Sequence, residues 1–193
     1  MLDKSIPYRE IWMVRSKEEP VPAINLPEGF HFAFYQEGDE AEWAKIETSV
    51  FEFSDEEEAL DYFSRAFAPF PQALSQRMLF IEDETGEKTA TCTAWWKEVD
   101  GKTKPLLHWL AVKPKFQKRG LAAALAAGVT VRLAELEPNE DIYLHTQTWS
   151  HPAVKLYERL GYKIVPENID GSKNEDYQEA LEIINQLQQK KME

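Results

Sequence analysis

The amino-acid sequence predicts a domain of mixed α/β (α+β) class, in which a mixed but mostly antiparallel sheet is flanked by helices. Residues 30–35 alternate with a period of two, which is typical of a strand. Residues 78–112 read as three consecutive strands joined by tight turns, and residues 113–165 alternate between helical and strand patterns. Adjacent antiparallel strands followed by this alternation favour one sheet with helices packed on it.

The segment before residue 30 reads as an extension of this domain. Residues 8–14 alternate well enough to form a strand, and three prolines between residues 20 and 27 then predict an extended linker that ends at Gly29. We therefore expect three parts: an N-terminal strand and Pro-containing linker (1–29), the domain (30–166) and a C-terminal helical extension (167–193).

Helical patterns follow the first strand and close the chain. Asp39 precedes one such pattern, and Ser54 and Glu57 have the spacing of a capping box that starts a second. The apolar positions of these two helices are Trp43, Ile46 and Val50, and then Leu60, Phe63 and Phe67. Residues 175–189 form a last amphipathic pattern, which predicts a terminal helix packed on the domain or on a partner.

Composition and charge narrow the class of protein. The chain has 193 residues, 43% of them hydrophobic, which suffices for one full core. A formal net charge of -12 argues against nucleic acid as a partner, because phosphate backbones are held by broad basic surfaces. The single cysteine, Cys92, excludes an internal disulfide and a thiolate metal cluster. Charged residues near the start and the lack of a long apolar run predict a cytoplasmic protein with no membrane partner.

Residues 106–122 predict a strand, a basic loop and the start of a helix. Pro114 ends the apolar strand, and leucine or valine recurs every fourth residue from Leu121 onward. Gly120 lies where the first free N–H groups of that helix point outward, and its lack of a side chain lets an anion approach the backbone. The loop also carries four basic residues: Lys113, Lys115, Lys118 and Arg119.

Two motifs in this part of the chain resemble those of the GNAT acetyltransferase superfamily. The first is Gln117-x-x-Gly120-x-Ala122 between a strand and an Ala-rich helix, and the second is Leu156-Tyr157 followed by Gly161 and an aromatic residue. The resemblance covers residues 78–165 and, more loosely, 30–77. Because both motifs occur in the superfamily's order, it implies a GNAT-like fold and acetyl-CoA as the acyl donor.

The resemblance also implies which residues hold the donor. Backbone N–H groups of the loop would bind the CoA pyrophosphate, and the preceding strand would bind the pantetheine arm through unpaired main-chain groups. The implied cofactor-binding residues are Leu110, Ala111, Val112, Gln117, Lys118, Arg119, Gly120, Leu121, Ala122, Ser150 and Tyr157. Ser150 stands where many members have an asparagine that touches the pantetheine.

Tyr157 and His108 are the implied catalytic residues. The match places the Tyr157 hydroxyl beside the CoA sulfur, where it would protonate the departing thiolate. His108 lies at the start of the cofactor strand, where the superfamily often has a glutamate that acts as the base, and His145 and Glu98 are alternatives. The histidines lack the close spacing of a metal site, so no metal is expected.

We therefore expect an N-acetyltransferase that moves an acetyl group from acetyl-CoA to a primary amine of a small molecule or peptide. The alternative is a catalytically silent acyl-CoA-binding regulatory module, and a longer acyl donor also stays open. One of Trp95 and Trp96 could line an acceptor cleft, because adjacent strand residues face opposite sides. The sequence leaves the oligomeric state open, with a homodimer as one arrangement.

Overall fold

A computed structural model describes residues 3–189, so the ends of the first and last predicted parts, 1–2 and 190–193, lie outside the described residues. Seven strands and six helices form this part of the chain. In order they are β1 (Glu10–Arg15), β2 (Phe30–Phe34), α1 (Glu40–Ser49), α2 (Glu56–Ala66), α3 (Pro71–Arg77), β3 (Met78–Asp83), β4 (Lys88–Val99), β5 (Lys102–Val112), α4 (Leu121–Leu136), β6 (Ile142–Gln147), α5 (His151–Arg159), β7 (Lys163–Val165) and α6 (Tyr177–Gln189).

The seven strands form one mixed sheet in the order β2-β3-β4-β5-β6-β1-β7. Every neighbouring pair is antiparallel except β5 and β6, which run parallel. Strands β3, β4 and β5 form the predicted meander. The predicted fold class, a mostly antiparallel sheet flanked by helices, is therefore confirmed.

Strand β1 lies inside the sheet, which corrects the expectation that the fold begins at residue 30. Met13 is opposite Leu144 of β6 on one side and Ile164 of β7 on the other. Ile11 and Met13 are fully buried in the core. The linker that follows β1 carries the chain across the sheet to the edge strand β2, since four strands lie between β1 and β2.

Two apolar layers cover the two faces of the sheet. On one face, Cys92 and Ala94 of β4 pack with helix α4, which contributes Leu125. On the other face, Trp95 of β4 packs with Trp43 of helix α1 and with Phe63 of helix α2. Because strand residues alternate between faces, these two layers follow directly from the order of residues along β4.

Two helices differ from the sequence-based expectation, and the position of a third decides a question that the sequence left open. Helix α3 was not predicted. Helix α2 begins one residue later than the expected capping box, since the Asp55 carboxylate, not Ser54, accepts from the Glu58 N–H at 2.9 Å. Helix α6 packs on its own domain through Ala180 and Ile184, whereas a homodimer stays a prediction.

Within residues 3–189 no helix is both long and apolar enough to cross a bilayer.

The position of β1 gives a testable prediction. Ile11→Ala or Met13→Ala removes a side chain that is fully buried in the main core, so each should lower the free energy of unfolding by about 2–5 kcal/mol. Chemical denaturation followed by circular dichroism measures this change. Val21→Ala, at a linker position that is 65% exposed, should change it by less than about 0.5 kcal/mol. Equal small effects at all three positions would contradict the placement of β1 in the core.

Candidate active site

Strands β5 and β6 separate partway along their length. They pair at Leu106 and Leu107, and the pairing between described residues goes no further, although β5 continues to Val112. The separation coincides with a bulge, because the register with β4 shifts between Thr91 and Thr93 and Trp109 has a φ of 53°. This leaves one edge of β5 facing a gap in the sheet.

A cavity of about 540 Å³ lies along this gap. Nine of the predicted cofactor-binding residues line it: Leu110, Ala111, Val112, Gln117, Lys118, Gly120, Leu121, Ala122 and Ser150. Arg119, Tyr157 and His108 are not in the lining, although Leu156, next to Tyr157, is. The structure therefore brings most of the predicted donor site to one cavity.

The loop before α4 is shaped to bind an anion at the mouth of that cavity. Gln117 holds the loop on β5 by donating its side-chain N–H to the Val112 carbonyl at 3.0 Å. Lys118 and Gly120 both have positive φ, 63° and 86°. No side chain caps α4, and its first helical bond runs from Ala124 N–H to the Gly120 carbonyl. The N–H groups of the first helical turn are therefore free to bind a negatively charged group.

Only part of the predicted basic cluster is available to such a ligand. The ammonium groups of Lys113 and Lys115 pair with the Glu87 carboxylate at 3.2 and 2.7 Å. Lys118 and Arg119 form no ion pair with any residue between 3 and 189, and the Arg119 guanidinium lies 5.4 Å from the centre of the Phe116 ring. Lys118 and Arg119, the two basic residues among the predicted cofactor-binding residues, are therefore the ones whose charge is not paired with Glu87.

Tyr157 lies on α5, behind the cavity wall. It is 6% exposed, and burial, followed by the electrostatic influence of neighbours that include Glu52 and Glu47, raises its pKa. Its ring centre is 6.0 Å from that of Tyr162. A phenol in this state stays protonated at neutral pH and can donate a proton.

His108 is poorly suited to accept a proton. Burial lowers the pKa of His108 to about 3, so its ring is neutral at pH 7 but holds a proton weakly. Its Nε2 lies 3.4 Å from the Tyr62 hydroxyl, which accepts the Trp109 indole N–H at 3.1 Å. The low pKa that burial gives His108 disfavours its predicted role as a base.

Neither alternative base lines the cavity. His145 stacks on Trp12, with ring centres 4.8 Å apart, and its Nε2 lies 3.7 Å from the Glu10 carboxylate. Glu98 accepts the Thr103 hydroxyl at 2.7 Å beside the turn between β4 and β5. Both side chains are engaged elsewhere on the surface.

Sequence reasoning missed two acidic residues after Trp43. Glu52 lines the cavity. Glu47 is 1% exposed, and neither of its carboxylate oxygens has a hydrogen-bond partner among the described residues. Burial raises the pKa of Glu47 well above 4.5, and the charge of Glu52 raises it further. The sequence signal that could have identified Glu47 is its spacing from Trp43. Residues four apart lie on the same face of a helix, so Glu47 shares the buried face of α1 with Trp43.

No group of three or more His, Cys, Asp or Glu side chains in residues 3–189 is arranged to hold a metal ion. The cavity instead combines a free helix N-terminus, an unpaired strand edge and a tyrosine behind its wall. A free helix N-terminus and an unpaired strand edge suit an extended anionic ligand.

This fold and cavity define an acyl-CoA-type transferase domain, and comparison of the sequence with known families agrees. The sequence model of the acetyltransferase (GNAT) family matches residues 36–162. The chain belongs to this family.

Relatives and solved structures support the same assignment. The chain is 27% identical over 164 residues to a mycothiol acetyltransferase of Mycobacterium sp. (strain MCS), covering 81% of this chain and 53% of the relative. The chain thus spans about half the length of the curated relatives that it matches.

A GCN5-related N-acetyltransferase from Sphaerobacter thermophilus has a similar fold, with a TM-score of 0.63 and 24% identity over 83% of this chain and 50% of that one. Arabidopsis thaliana Naa50, solved with the bisubstrate analogue CoA-Ac-MVNAL, gives a TM-score of 0.55 and 16% identity over 71% of this chain and 85% of that one. At these identities the structures show a shared fold.

The burial of Glu47 gives a testable prediction on stability. An acid with a raised pKa binds more protons in the folded than in the unfolded state, so the free energy of unfolding falls as pH rises from about 4.5 to the folded-state pKa. The slope is at most about 1.4 kcal/mol per pH unit. Glu47→Gln should remove this fall and melt at a higher temperature than the unsubstituted protein at pH 8. Glu57→Gln, on the exposed side of α2, is the control, and a parallel loss of stability with pH in Glu47→Gln would contradict the prediction.

Proposed function

We propose that this chain transfers an acetyl group from acetyl-CoA to a primary amine of a small molecule or peptide. The observation that carries this proposal is the single cavity that joins the free N-terminus of α4 to the unpaired edge of β5. An extended molecule with phosphates at one end and hydrogen-bonding amides along its length fits such a cavity. The family to which the chain belongs uses acetyl-CoA as donor.

Different residues would bind the two parts of the donor, the pyrophosphate and the pantetheine arm. The N–H groups from Lys118 to Ala122, with the positive charges of Lys118 and Arg119, would hold the pyrophosphate. The unpaired main-chain groups of Leu110 and Val112 would bind the pantetheine arm as a missing strand would, although the Val112 carbonyl is already taken by Gln117. Ser150 and Ala153 close the cavity from the side of α5.

The chemistry that we propose is direct transfer. A main-chain N–H near Leu110 or Ala111 would polarise the thioester carbonyl, since a fixed donor in a cavity that excludes water stabilises developing negative charge. Tyr157 would give its proton to the departing thiolate. Burial keeps this phenol protonated but also raises the pKa of Tyr157, so the transfer depends on holding the hydroxyl against the departing thiolate.

One observation favours the alternative of a silent acyl-CoA-binding module. The low pKa of His108 leaves the predicted base unable to hold the proton of an ammonium ion. Titration with acetyl-CoA, followed by a free-thiol assay with amines, amino acids and peptides, separates the two functions. Binding with thiol release on addition of an amine supports the enzyme, whereas binding without turnover on any acceptor supports the module.

The relatives' name identifies mycothiol, but the identity is 27% over half of their length, so we propose an acceptor class and not that acceptor. The cytoplasmic location and a longer acyl donor also stay predictions from the sequence. Testing acetyl-, propionyl- and malonyl-CoA in the same thiol assay ranks the donors.

Substituting Tyr157 tests the proton donor. Tyr157→Phe should lower kcat by about tenfold to a thousandfold while the Kd for acetyl-CoA changes little, because only the hydroxyl is removed. Steady-state kinetics and calorimetric titration measure the two effects. Tyr143→Phe, on β6 and away from the cavity lining, is the matched control. An unchanged kcat in Tyr157→Phe would remove this residue from the mechanism.

Substituting Gly120 tests the proposed binding of the CoA pyrophosphate by the loop before α4. Gly120→Asp places a carboxylate at a position with φ of 86° beside the free N–H groups, so it should raise the Kd for acetyl-CoA by about a hundredfold or more. Gly171→Asp adds the same charge at a similar φ of 81° with open space around it, and should leave the Kd unchanged. Retained affinity in Gly120→Asp would overturn the phosphate assignment.

A further inference from the structure

Glu47 occupies a place where an ionised carboxylate is costly. Its side chain is 1% exposed, and both carboxylate oxygens lack a hydrogen-bond partner among the described residues. A buried charge needs a partner of opposite sign, or the group takes a proton. No Lys, Arg or His side chain in residues 3–189 pairs with Glu47. Glu47 therefore either holds a proton or pairs with a cation that does not belong to the described chain.

Further unpartnered polar atoms occur on the same side of the sheet. The indole N–H of Trp43, one helical turn before Glu47, has no acceptor, although the side chain is fully buried. The hydroxyls of Thr91 and Thr93 also lack partners, and these residues alternate with Cys92 so that they face the layer of α1 and α2. Buried polar groups without partners are rare, so several on one face indicate a ligand or water.

Three half-buried rings form a wall beside this group. Phe53, Tyr62 and Trp109 lie with ring centres 5.1–5.5 Å apart. Trp43 lies behind the wall, with ring centres 5.7–6.1 Å from all three. We call the three rings the aromatic wall. The faces of such rings attract cations, and the attraction increases when the cation is desolvated.

The acidic group and the aromatic wall adjoin the reacting end of the cavity. The backbone N–H groups of Val50 and Glu52, which both line the cavity, lie 3.3 and 3.2 Å from the Glu47 carbonyl oxygen. Trp109 immediately precedes Leu110, another lining residue. The charge of Glu47 also raises the pKa of Tyr62 and Tyr157. Glu47 thus lies at the end of α1, directly before the loop residues that line the cavity.

We propose that Glu47 and the aromatic wall form the acceptor subsite, and that the acceptor is a cationic primary amine on an apolar body with no carboxylate beside the amine. This inference rests on the proposed acetyl transfer and names its acceptor class. The ammonium supplies the cation that Glu47 lacks, and the apolar body lies against the three rings.

Charge selects against acceptors that carry a carboxylate. Glu52 lines the cavity, Glu47 lies behind it, and the chain as a whole carries a net charge of -12. A carboxylate beside the amine, as in an amino acid, would be brought next to both glutamates. Like charges in a partly desolvated site repel strongly.

Glu47 also supplies the base that His108 cannot. The ammonium gives one proton to a Glu47 oxygen and becomes the free amine, whose lone pair forms the N–C bond to the acetyl carbon. The C–S bond breaks and its electron pair stays on sulfur, which takes the proton of Tyr157. The second proton lost by nitrogen restores the phenol, and Glu47 releases its proton to solvent. Each turnover yields one amide, one thiol and one proton.

A matched pair of acceptors tests the proposal. We expect kcat/KM for 2-phenylethylamine to exceed that for L-phenylalanine, which adds only a carboxylate, by about tenfold or more. Glu47→Gln keeps the shape of the side chain and should lower kcat/KM for the amine by about tenfold or more while the Kd for acetyl-CoA stays constant. The exposed Glu57→Gln should match the unsubstituted protein. Equal kcat/KM for the two acceptors, or unchanged amine kinetics in Glu47→Gln, would overturn the proposal.

A binding measurement separates failure of this inference from failure of the acetyl transfer. Phenylethyltrimethylammonium keeps the positive charge but has no proton to transfer, and its binding can be followed by quenching of tryptophan fluorescence. We expect it to bind, to bind about tenfold more weakly to Glu47→Gln, and to outcompete 2-phenylethanol. If the protein shows no transfer yet binds this cation through Glu47, the enzymatic proposal fails and the subsite stands. If transfer occurs and the cation binds equally to both proteins, the subsite fails and the enzyme stands.

Discussion

The separation of β5 from β6 is the constraint on which the rest of the site depends. Parallel pairing begins at Leu106 and Leu107 and then stops, because the bulge at Trp109 turns the strand away from its neighbour. A strand edge inside a sheet cannot stay without partners, so the gap requires either solvent or an extended ligand. The cavity, the free helix N-terminus beside it and the tyrosine behind it are all arranged around that gap.

The two ends of the cavity carry opposite charge, which fixes the direction in which a donor and an acceptor lie. Lys118 lines the cavity at the N-terminus of α4, with Arg119 next to it in the chain, and Glu52 lines the cavity from the loop between α1 and α2. The two other lysines of the loop, Lys113 and Lys115, pair with the Glu87 carboxylate. In a chain that is strongly acidic overall, a local positive loop therefore attracts an anionic donor without attracting anions to the acceptor end.

Most of the cofactor-binding residues predicted from the sequence line one cavity, because backbone geometry leaves a strong local signature. A strand ended by Pro114, a glycine at the helix start and the Leu-Tyr pair on α5 are short motifs whose positions determine what the main chain offers. The acceptor half could not be predicted in this way. In the sequence Glu47 carries only the spacing that places it one helical turn after Trp43, and the packing of α1 on the sheet is what buries it. Strand β1 was misplaced for a related reason, since its neighbours β6 and β7 come more than 120 residues later in the chain.

An unpartnered glutamate that is this deeply buried lowers stability at neutral pH, and a core of this size could accommodate an apolar residue in its place. Its presence is best understood as a switchable charge. Burial raises the pKa of Glu47, so the empty site favours the protonated carboxyl over the ionised one. The arrival of an ammonium ion favours the ionised form, because an opposite charge nearby offsets the desolvation. A neutral or anionic molecule cannot induce this change, so the charge that would receive the proton exists only when a molecule able to give one is bound.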